Sequence, residues 1–448
     1  MLHLSKQLLA VLCAYQGSVL IGYTMGWTAP VIPKLQDPEQ TPLPEIPSDG
    51  QVSWIGSLLY IGCIIGPYSL GPLSNVKGRK PCFVVSAFII IASFILLGAA
   101  QNLAMIYAGR IMIGVGLGII SVINVVYIGE IASTKIRGIL LSGTGIFSTL
   151  GTLLMFVIGP YVSYVMTTVI GIVLTLVYLL GLYFIPETPL FDVMRGKENE
   201  ARETLIHLGR SDEIETVLQS KPEVKKTTMS DWKDLLTIKG NRFALFIVLT
   251  LSILQQMSGV VAVLFFATTI FDLVGSVEPN LATIIIGITQ LVSSCLTLLF
   301  VDTSGRKIVL MFSTATSCLS LATLGVYFYW ADVANNPLAD RLGWLPLLSL
   351  VVFFLCYDLG FGIIPSALTG EMFEPNVRSL GAAVTATLAW AVGFGVSTAF
   401  GYMLSGWGGH VTFWIYSGAC AFATIFTIIF VPETRGKSLL EIQVMLNR

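Results

Sequence analysis

Residues 138–186 read GILLSGTGIFSTLGTLLMFVIGPYVSYVMTTVIGIVLTLVYLLGLYFIP and contain no Asp, Glu, Lys or Arg. A helix needs about 20 apolar residues to cross a bilayer, so this run is long enough for two crossings. The alternating apolar and polar residues of membrane β-barrels are absent from it, and we therefore expect both crossings to be helical. The stretch predicts an all-α integral membrane protein.

Charge-free runs of similar character recur along the whole chain of 448 residues. The run 379–432 is again long enough for two helices. Hydrophobic residues make up 54% of the chain and charged residues 11%, and the mean hydropathy is +0.81. A soluble domain carries about 25% charged residues, which excludes that class. The formal net charge of −1 gives no indication of nucleic-acid binding.

These runs predict twelve membrane helices, six on each side of a charged segment. The predicted helices are 7–33, 51–74, 82–101, 104–131, 138–160, 163–185, 243–271, 280–301, 307–330, 344–370, 379–404 and 408–431. In the charged segment, EARETLIHLG and DEIETVLQ have the apolar spacing of short amphipathic helices. The predicted domains are an N-terminal six-helix half at 1–185, an intracellular helical segment at 186–242, a C-terminal six-helix half at 243–431 and a cytoplasmic tail at 432–448.

The distribution of Lys and Arg predicts the orientation in the membrane. With both termini in the cytoplasm, nearly all basic residues fall in inner segments, and only Lys34 and Arg341 fall in outer loops. Basic residues concentrate on the cytoplasmic side of membrane proteins. We therefore expect a multi-pass protein with cytoplasmic N- and C-termini.

Three motifs occur twice, in the same order. Gly-Arg-Lys at 78–80 recurs at 305–307, Gly-Glu at 129–130 recurs at 370–371, and Pro-Glu-Thr at 186–188 recurs at 432–434. The Gly-Glu motif is followed at the same distance by Arg137 in one copy and by Arg378 in the other. Many transporters consist of two repeated halves that rock around a central site, so the repeat indicates a transporter.

The motifs resemble the sugar porter branch of the major facilitator superfamily. The similar stretches are GPLSNVKGRK (71–80), GRIMIGVGLG (109–118), YIGEIASTKIRG (127–138), FIPETP (184–189), QQMSG (255–259), VDTSGRK (301–307), GEMFEPNVR (370–378) and VPETRGKSLLEI (431–442). The last stretch is most similar to insect facilitated trehalose and glucose transporters. The resemblance implies the twelve-helix major facilitator fold, an intracellular helical domain, alternating access and a plasma-membrane location.

Polar side chains deep in the predicted helices are candidates for contact with a solute. On two helices the residues at i, i+3, i+4 and i+7 share one face. They are Ser252, Gln255, Gln256 and Gly259 on the first, of which all but Gly259 are polar, and Gln290, Ser293, Ser294 and Thr297 on the second. A carboxamide offers a donor and an acceptor to sugar hydroxyls. Gln, Ser and Thr also join membrane helices to each other, and spacing alone leaves both interpretations open.

The resemblance implies a set of sugar-contacting residues. Gln255, Gln256 and Gln290 match positions of sugar contact, and Trp390 and Tyr357 match aromatic positions of the cavity. Cavity amides common in the family are replaced in this chain, so sugar discrimination is expected to differ. The replaced amide positions are Gly145, Val261 and Ala389, and Ser366 stands where the family commonly has Trp.

Two residues bear on coupling to protons. Thr24 belongs to a motif of the first helix that resembles the family's, and it is a further candidate contact with the sugar. The resemblance implies that proton-coupled members carry Asp at the position of Thr24. Thr cannot titrate, so this chain has no proton-binding group at that position. Asp358 is an acid deep within a predicted helix, where a charge costs ~2.5–3.5 kcal/mol on insertion scales. It is the candidate proton site, with structural pairing as the alternative.

The resemblance also implies a charge network at the inner helix ends. Its members are Arg79, Lys80, Glu130 and Arg137 in the first half and Asp302, Arg306, Glu371 and Arg378 in the second. Ion pairs between the halves would hold the inner side shut and break when it opens. The alternative is that these residues serve only orientation and helix capping.

The sequence thus predicts a facilitative uniporter of hexose or trehalose. One alternative is a proton-coupled sugar symporter that uses Asp358, and another is a non-transporting sugar sensor or receptor with a degenerate cavity. The expected partners are a small-molecule sugar and the lipid bilayer, and the oligomeric state stays open. No enzymatic activity, cofactor or metal site is expected, because no catalytic or metal-ligand motif occurs.

Overall fold

The computed structural model describes residues 2–133, 136–219, 229–275, 277–300, 305–334, 336–374 and 377–435, together with Lys437, Glu441, Ile442 and Met445. Regular structure in these ranges is helical throughout. The chain forms two compact units. The first comprises Met1–Pro47 and Leu58–Lys225, and the second comprises Ser48–Ser57 and Lys226–Arg448.

The first unit contains six membrane-length passages. They are α1 (Leu2–Gly26) with α2 (Thr28–Gln36), α3 (Asp49–Lys77), α4 (Arg79–Gly98), α5 (Leu103–Ile131), α6 (Arg137–Ile158) and α7 (Tyr164–Phe184). The first residues of α3 belong to the second unit. Each passage is long and apolar enough to cross a membrane. Helix α1 packs on α5, α6 and α7, and α4 packs on α5 and α7.

Glycines allow α3 and α5 to touch along their backbones. A Cβ atom on Gly114 would lie 2.2 Å from the carbonyl oxygen of Leu59, and one on Gly62 would lie 2.1 Å from that of Ile111. Small residues at such contacts let membrane helices approach closely.

Four short helices lie between α7 and α12 (Lys239–Met257). They are α8 (Pro189–Met194), α9 (Glu198–His207), α10 (Ile214–Gln219) and α11 (Met229–Thr237). Helices α8, α9 and α10 share a small apolar core made of Val193, Ala201, Leu205, Ile214 and Leu218. These three helices belong to the first unit and α11 to the second. The division of the chain at 186–242 stays a prediction.

The second unit repeats the helix pairing of the first. Its helices are α12 (Lys239–Met257), α13 (Val260–Phe265), α14 (Ala267–Val274), α15 (Pro279–Phe300), α16 (Arg306–Phe328), α17 (Leu338–Arg341), α18 (Leu345–Leu359), α19 (Ile364–Met372) and α20 (Arg378–Phe430). A π-helical turn at Tyr329–Val333 follows α16. Helix α16 packs on α18 and α20 as α4 packs on α5 and α7, and α12 packs on α20 as α1 packs on α6.

Two helices predicted to be continuous are interrupted, so that part of the prediction was wrong. The helix 243–271 breaks at Gly259, whose φ of 75° is left-handed, and again at Phe266. The helix 344–370 breaks at residues 360–363, called here the α18–α19 break. Gly360 leaves the helical conformation there, and a proline stands in the first turn of α19. Glycine tolerates such backbone angles, and proline lacks the N–H that would continue the helix.

Helix α20 contains two passages. It has 53 residues, and Gly408 interrupts it with a φ of 82° and a ψ of 165°. At 1.5 Å per residue a straight helix of that length would span roughly 80 Å, against about 30 Å for the hydrocarbon core. Among the described residues 11 stretches are long and apolar enough to cross a membrane, and the break in α20 makes them twelve passages. The predicted twelve-helix membrane fold is confirmed.

Candidate functional site

Charged side chains from three elements meet at one end of the first unit. Arg79, Glu130 and Glu187 form what we call the first charged-end brace. The Nη2 atom of Arg79 donates to Oε1 of Glu130 at 2.7 Å, which ties the start of α4 to the end of α5. The Glu187 carboxylate accepts the backbone N–H groups of Arg79 and Lys80 at 3.0 and 3.1 Å. It thereby caps the N-terminus of α4, where N–H groups have no helical partner and the helix dipole favours negative charge.

The second unit contains the same arrangement. Arg306, Glu371 and Glu433 form the second charged-end brace. Nε of Arg306 lies 3.3 Å from Oε1 of Glu371. Glu433 accepts the backbone N–H groups of Arg306 and Lys307 at 3.0 and 3.2 Å, and so caps α16 as Glu187 caps α4. Thr434 Oγ1 donates to Oε2 of Glu371 at 2.6 Å. Each Arg–Glu pair joins residues of one unit.

Each Gly-Arg-Lys motif begins with a glycine for a structural reason. Gly78 has a φ of 103° and Gly305 a φ of 84°, which side-chain-bearing residues rarely adopt. A Cβ atom on Gly78 would lie 2.4 Å from Oε2 of Glu187, and one on Gly305 would lie 2.9 Å from Oε2 of Glu433. Glycine therefore leaves room for the capping carboxylate.

The other residues of the predicted charge network have separate surroundings. Lys80 Nζ donates to backbone carbonyl groups at the end of α7, the nearer at 2.9 Å. Arg378 Nη2 donates to the Phe373 carbonyl oxygen at 3.3 Å. Within the part of the chain that the structure describes, the buried Nε atoms of Arg137 and Arg378 have no hydrogen-bond partner. Asp302 lies outside the described residues.

Sequence reasoning missed three residues at these ends. The repeated Pro-Glu-Thr motif was the available signal for Glu187 and Glu433, although it does not reveal which helix they cap. Arg210 is 3% exposed and donates to the carbonyl oxygens of Glu130 and Ile131 at 2.6 and 3.2 Å, which attaches α8, α9 and α10 to the end of α5. It also pairs with a nearby glutamate at 2.6 Å. No sequence signal separates Arg210 from the other charged residues of its segment.

Asp192 and Glu433, which lie outside the membrane-length helices, have shifted pKa values. Burial, followed by the charges of Glu200 and Glu187, raises the pKa of Asp192 to about 6. Burial also raises the pKa of Glu433, but backbone N–H donors, that of Arg435 foremost, outweigh it and hold this pKa below its ordinary value.

Gln255 lies beside the α18–α19 break. Its Nε2 atom donates to the carbonyl oxygens of Phe361 and Gly362 at 2.7 and 2.9 Å. A carboxamide nitrogen carries two hydrogens, so these two bonds use both of its donors and leave the oxygen as an acceptor. A residue predicted to contact a solute therefore also secures a break in a membrane helix.

Two further helices secure the same region. Ser293 and Thr297 of α15 donate to carbonyl oxygens of α18 at 2.7 and 3.1 Å. Ser313 of α16 accepts the backbone N–H of Phe361 at 2.9 Å. For Ser293 and Thr297 the structure shows bonds between helices, one of the two interpretations that the spacing left open.

The remaining candidate contacts of the second unit lie on α12, α15, α18 and α20. The carboxamide oxygens of Gln256 and Gln290 are buried and have no hydrogen-bond partner among the described residues. Tyr357 is 5% exposed, and its ring lies 5.6 Å from that of Phe361 in the α18–α19 break. Trp390 is partly buried on α20.

Thr24 and Asp358 belong to different units. Thr24 lies in the first unit and is 1% exposed, and its backbone carbonyl accepts from Arg110 at 3.4 Å. Asp358 is the last residue but one of α18, close to the break. Within the described ranges, the Thr24 hydroxyl and Oδ2 of Asp358 are both buried without a hydrogen-bond partner.

Comparison with known proteins adds the following. A family model described as "Sugar (and other) transporter" matches residues 10–446. The facilitated trehalose transporter Tret1 of Anopheles gambiae is 33% identical over 99% of this chain and 56% of its own length. Tret1 of Culex quinquefasciatus is 33% identical over 98% of this chain and 85% of its own length. The chain thus spans about half the length of several curated relatives, 51% for that of Drosophila yakuba.

The fold is also that of a solved transporter. The xylose transporter XylE from E. coli, in a partially occluded inward-open conformation, aligns with a TM-score of 0.80. The identity is 23%, and the alignment covers 97% of this chain and 100% of the other. At this identity the likeness concerns the fold.

Proposed function

Because the chain belongs to the Sugar (and other) transporter family, we propose that it is a facilitative sugar transporter that works by alternating access. The observation that carries the proposal is the duplicated charged-end brace, in which the same Arg–Glu pair and the same capping carboxylate occur in each unit. Many transporters consist of two equivalent units that rock against each other about a central binding site. The relatives are transporters rather than enzymes.

The proposed substrate is trehalose or a hexose. Relatives named as trehalose transporters support the first. The buried carboxamide oxygens of Gln256 and Gln290 would accept hydrogen bonds from sugar hydroxyls. The ring of Trp390 would cover an apolar sugar face, and Tyr357 and Thr24 complete the proposed contacts.

Transport is proposed to be uniport, because Thr24 cannot take up a proton where proton-coupled members carry an acid. A sugar–proton symporter is the second candidate, and one observation favours it. Oδ2 of Asp358 is buried without a hydrogen-bond partner in the described part of the chain, as expected for an acid that binds a proton during a cycle.

The charge network predicted from the sequence is proposed to close one side of the transporter. Its members would be Arg79, Lys80, Glu130, Arg137, Asp302, Arg306, Glu371 and Arg378. That side is proposed to be cytoplasmic, with both termini there and the protein in the plasma membrane, in line with the positive-inside rule.

Counterflow into liposomes tests the proposal. Purified protein is reconstituted, the vesicles are loaded with unlabelled glucose or trehalose, and labelled sugar is added outside without a proton gradient. We expect a transient uptake of label that disappears in Trp390→Ala. Trp407→Ala is the matched control, because Trp407 is also on α20 but is 60% exposed, and it should transport normally.

Each other outcome selects an alternative. Uptake that exceeds the external level, requires an acid exterior and is lost in Asp358→Asn would indicate symport. Sugar binding by folded protein without any flux would indicate a sensor. If neither sugar binds nor crosses, the proposed substrate class is wrong.

A further inference from the structure

The apolar side chains of α11 are arranged differently from those of the three short helices before it. Helices α8, α9 and α10 bury theirs in a shared core, whereas no residue of α11 in the described part of the chain belongs to that core. Leu235 of α11 is fully buried, but Trp232 is 42% exposed and Leu236 is 52% exposed. Two large apolar side chains of α11 therefore lie on the surface of the protein.

The exposed apolar residues share one face of α11. Trp232 and Leu236 are four positions apart, which places them one above the other on a helix. Lys233 and Thr237 each follow by one position, about 100° further round the helix, and are also exposed. An apolar face that holds a tryptophan and is flanked by a lysine is typical of a helix that lies at the boundary between lipid headgroups and acyl chains.

Helix α11 is joined directly to a membrane passage. It ends at Thr237 and α12 begins at Lys239, so only Ile238 separates them. Ile238 has an extended backbone, with a φ of −69° and a ψ of 122°, and the chain changes direction there. Helix α11 packs on both α12 and α20. It therefore belongs to the ends of the membrane passages of the second unit.

The depth of α11 follows from the point at which α12 becomes apolar. Residues 239–242 read Lys-Gly-Asn-Arg, and an apolar run starts at Phe243, about 6 Å along the helix. Phe246 is 46% exposed, so the lipid-facing surface of α12 starts within about 10 Å of its first residue. The headgroup layer on each side of a bilayer is roughly 5–8 Å thick. The start of α12, and α11 joined to it, therefore lie at the level of the headgroups.

Basic residues around α11 fit the phosphate groups of that layer. Lys233, Lys239 and Arg242 are exposed, whereas Asp231 and Asp234 are half-buried. Long basic side chains keep their apolar stems along an apolar surface while their charged ends reach polar groups. The exposed charges beside the apolar face are thus of the sign that lipid phosphates attract.

We propose that α11 is an interfacial helix that binds the lipid bilayer through Trp232 and Leu236, at the boundary between headgroups and acyl chains. The charged segment predicted at 186–242 then has two kinds of surroundings. Helices α8, α9 and α10 have their own core and are attached to α5 by Arg210, whereas α11 completes its apolar contacts with lipid. This inference does not depend on which solute the protein transports.

Fluorescence quenching by brominated lipids tests the position of Trp232. The full chain is placed in nanodiscs, and the emission of Trp232→Phe is subtracted from that of the wild type, which isolates one of the eight tryptophans. We expect lipids brominated near the carbonyl end of the acyl chain to reduce this emission about twofold, and lipids brominated near the methyl end to reduce it less. Emission that neither lipid reduces and that aqueous iodide quenches would overturn the proposal.

A tryptophan added to α9 is the matched control. Ile206 of α9 is 50% exposed, on a helix whose apolar contacts are made within the shared core. Ile206→Trp in the Trp232→Phe background should be quenched by iodide and by neither brominated lipid. Lipid quenching at this position as strong as at Trp232 would remove the distinction between α9 and α11, and would also overturn the proposal.

Hydrogen–deuterium exchange tests the other exposed residue without any change to Trp232. In nanodiscs, Leu236→Asp should accelerate exchange of the amides in residues 229–238 on the order of tenfold, because a carboxylate is costly in an apolar boundary. Thr237→Asp places the same acid one position further, on the exposed polar side, and its exchange should equal that of the wild type. No acceleration in either variant would place Leu236 in water, and equal acceleration in both would attribute the effect to the added charge. Each of these two results would refute the lipid contact.

Discussion

Replacing Glu433 by alanine should destabilise the second unit, because one carboxylate serves several backbone donors. It accepts the N–H groups of Arg306 and Arg435 at 3.0 Å each and that of Lys307 at 3.2 Å. Loss of an N-cap costs about 0.5–2 kcal/mol, and loss of a negative charge at a helix N-terminus a further ~0.3–1 kcal/mol. We expect a loss of about 1–3 kcal/mol, which corresponds to a fall in melting temperature of about 2–12 °C for a unit of this size.

The dependence on pH identifies the carboxylate as the cause. The pKa of Glu433 lies below its ordinary value of 4.5, so its stabilisation is present above that value and is lost as pH falls through the lower pKa of the folded state. The difference in melting temperature between the wild type and Glu433→Ala should therefore be full at pH 7 and shrink below about pH 4.5.

Fluorescence-detected size-exclusion chromatography after heating measures this difference on detergent-solubilised protein. Glu45→Ala serves as the control, because Glu45 is an exposed glutamate. The reasoning is refuted if Glu433→Ala melts with the wild type and with Glu45→Ala at pH 7. A difference that stays constant from pH 7 to pH 3.5 would refute the charge-based explanation.

Three other changes test separate features. The Asp192→Asn variant should have a higher melting temperature than the wild type above pH 7 and the same melting temperature at pH 4. The reason is that the pKa of Asp192 is raised to about 6, so the wild type loses stability as pH rises through that value. Gly114→Leu should abolish the monodisperse peak in size-exclusion chromatography, because the leucine side chain would collide with the backbone of α3. Gly129→Leu should preserve that peak, because a Cβ atom on Gly129 would meet no other atom within 4 Å. Arg210→Met should speed proteolysis within α8, α9 and α10 on the order of tenfold by removing two bonds to α5. Arg202→Met, which removes an exposed pair at 3.5 Å, should not.

The membrane passages could be predicted from the sequence because apolar length is a local property. A charge-free run such as 138–186 specifies two helices without reference to any other part of the chain. The repeated motifs likewise revealed the duplication and pointed to the ends where the braces lie. The partners within each brace were only partly predictable, since Glu187 caps a helix that begins 108 residues earlier.

The interruptions of the helices could not be predicted for a different reason. Gly259 and Gly360 mark two of the breaks, but the chain contains 43 glycines, and most of them serve other purposes. A left-handed glycine and a packing glycine look the same in a sequence. The double role of Gln255 was hidden as well, because its partners are backbone carbonyl groups, which leave no trace in residue identity.

The break at Gly408 has a consequence for how the chain reverses direction. The run 379–432 contains no charged residue, so no charged loop separates its two passages. The helix is interrupted by a glycine at a φ of 82°, a backbone angle that side-chain-bearing residues rarely adopt. The point at which the chain turns back into the bilayer therefore depends on one backbone angle, and any residue with a Cβ atom at this position would have to leave that angle or bear its strain.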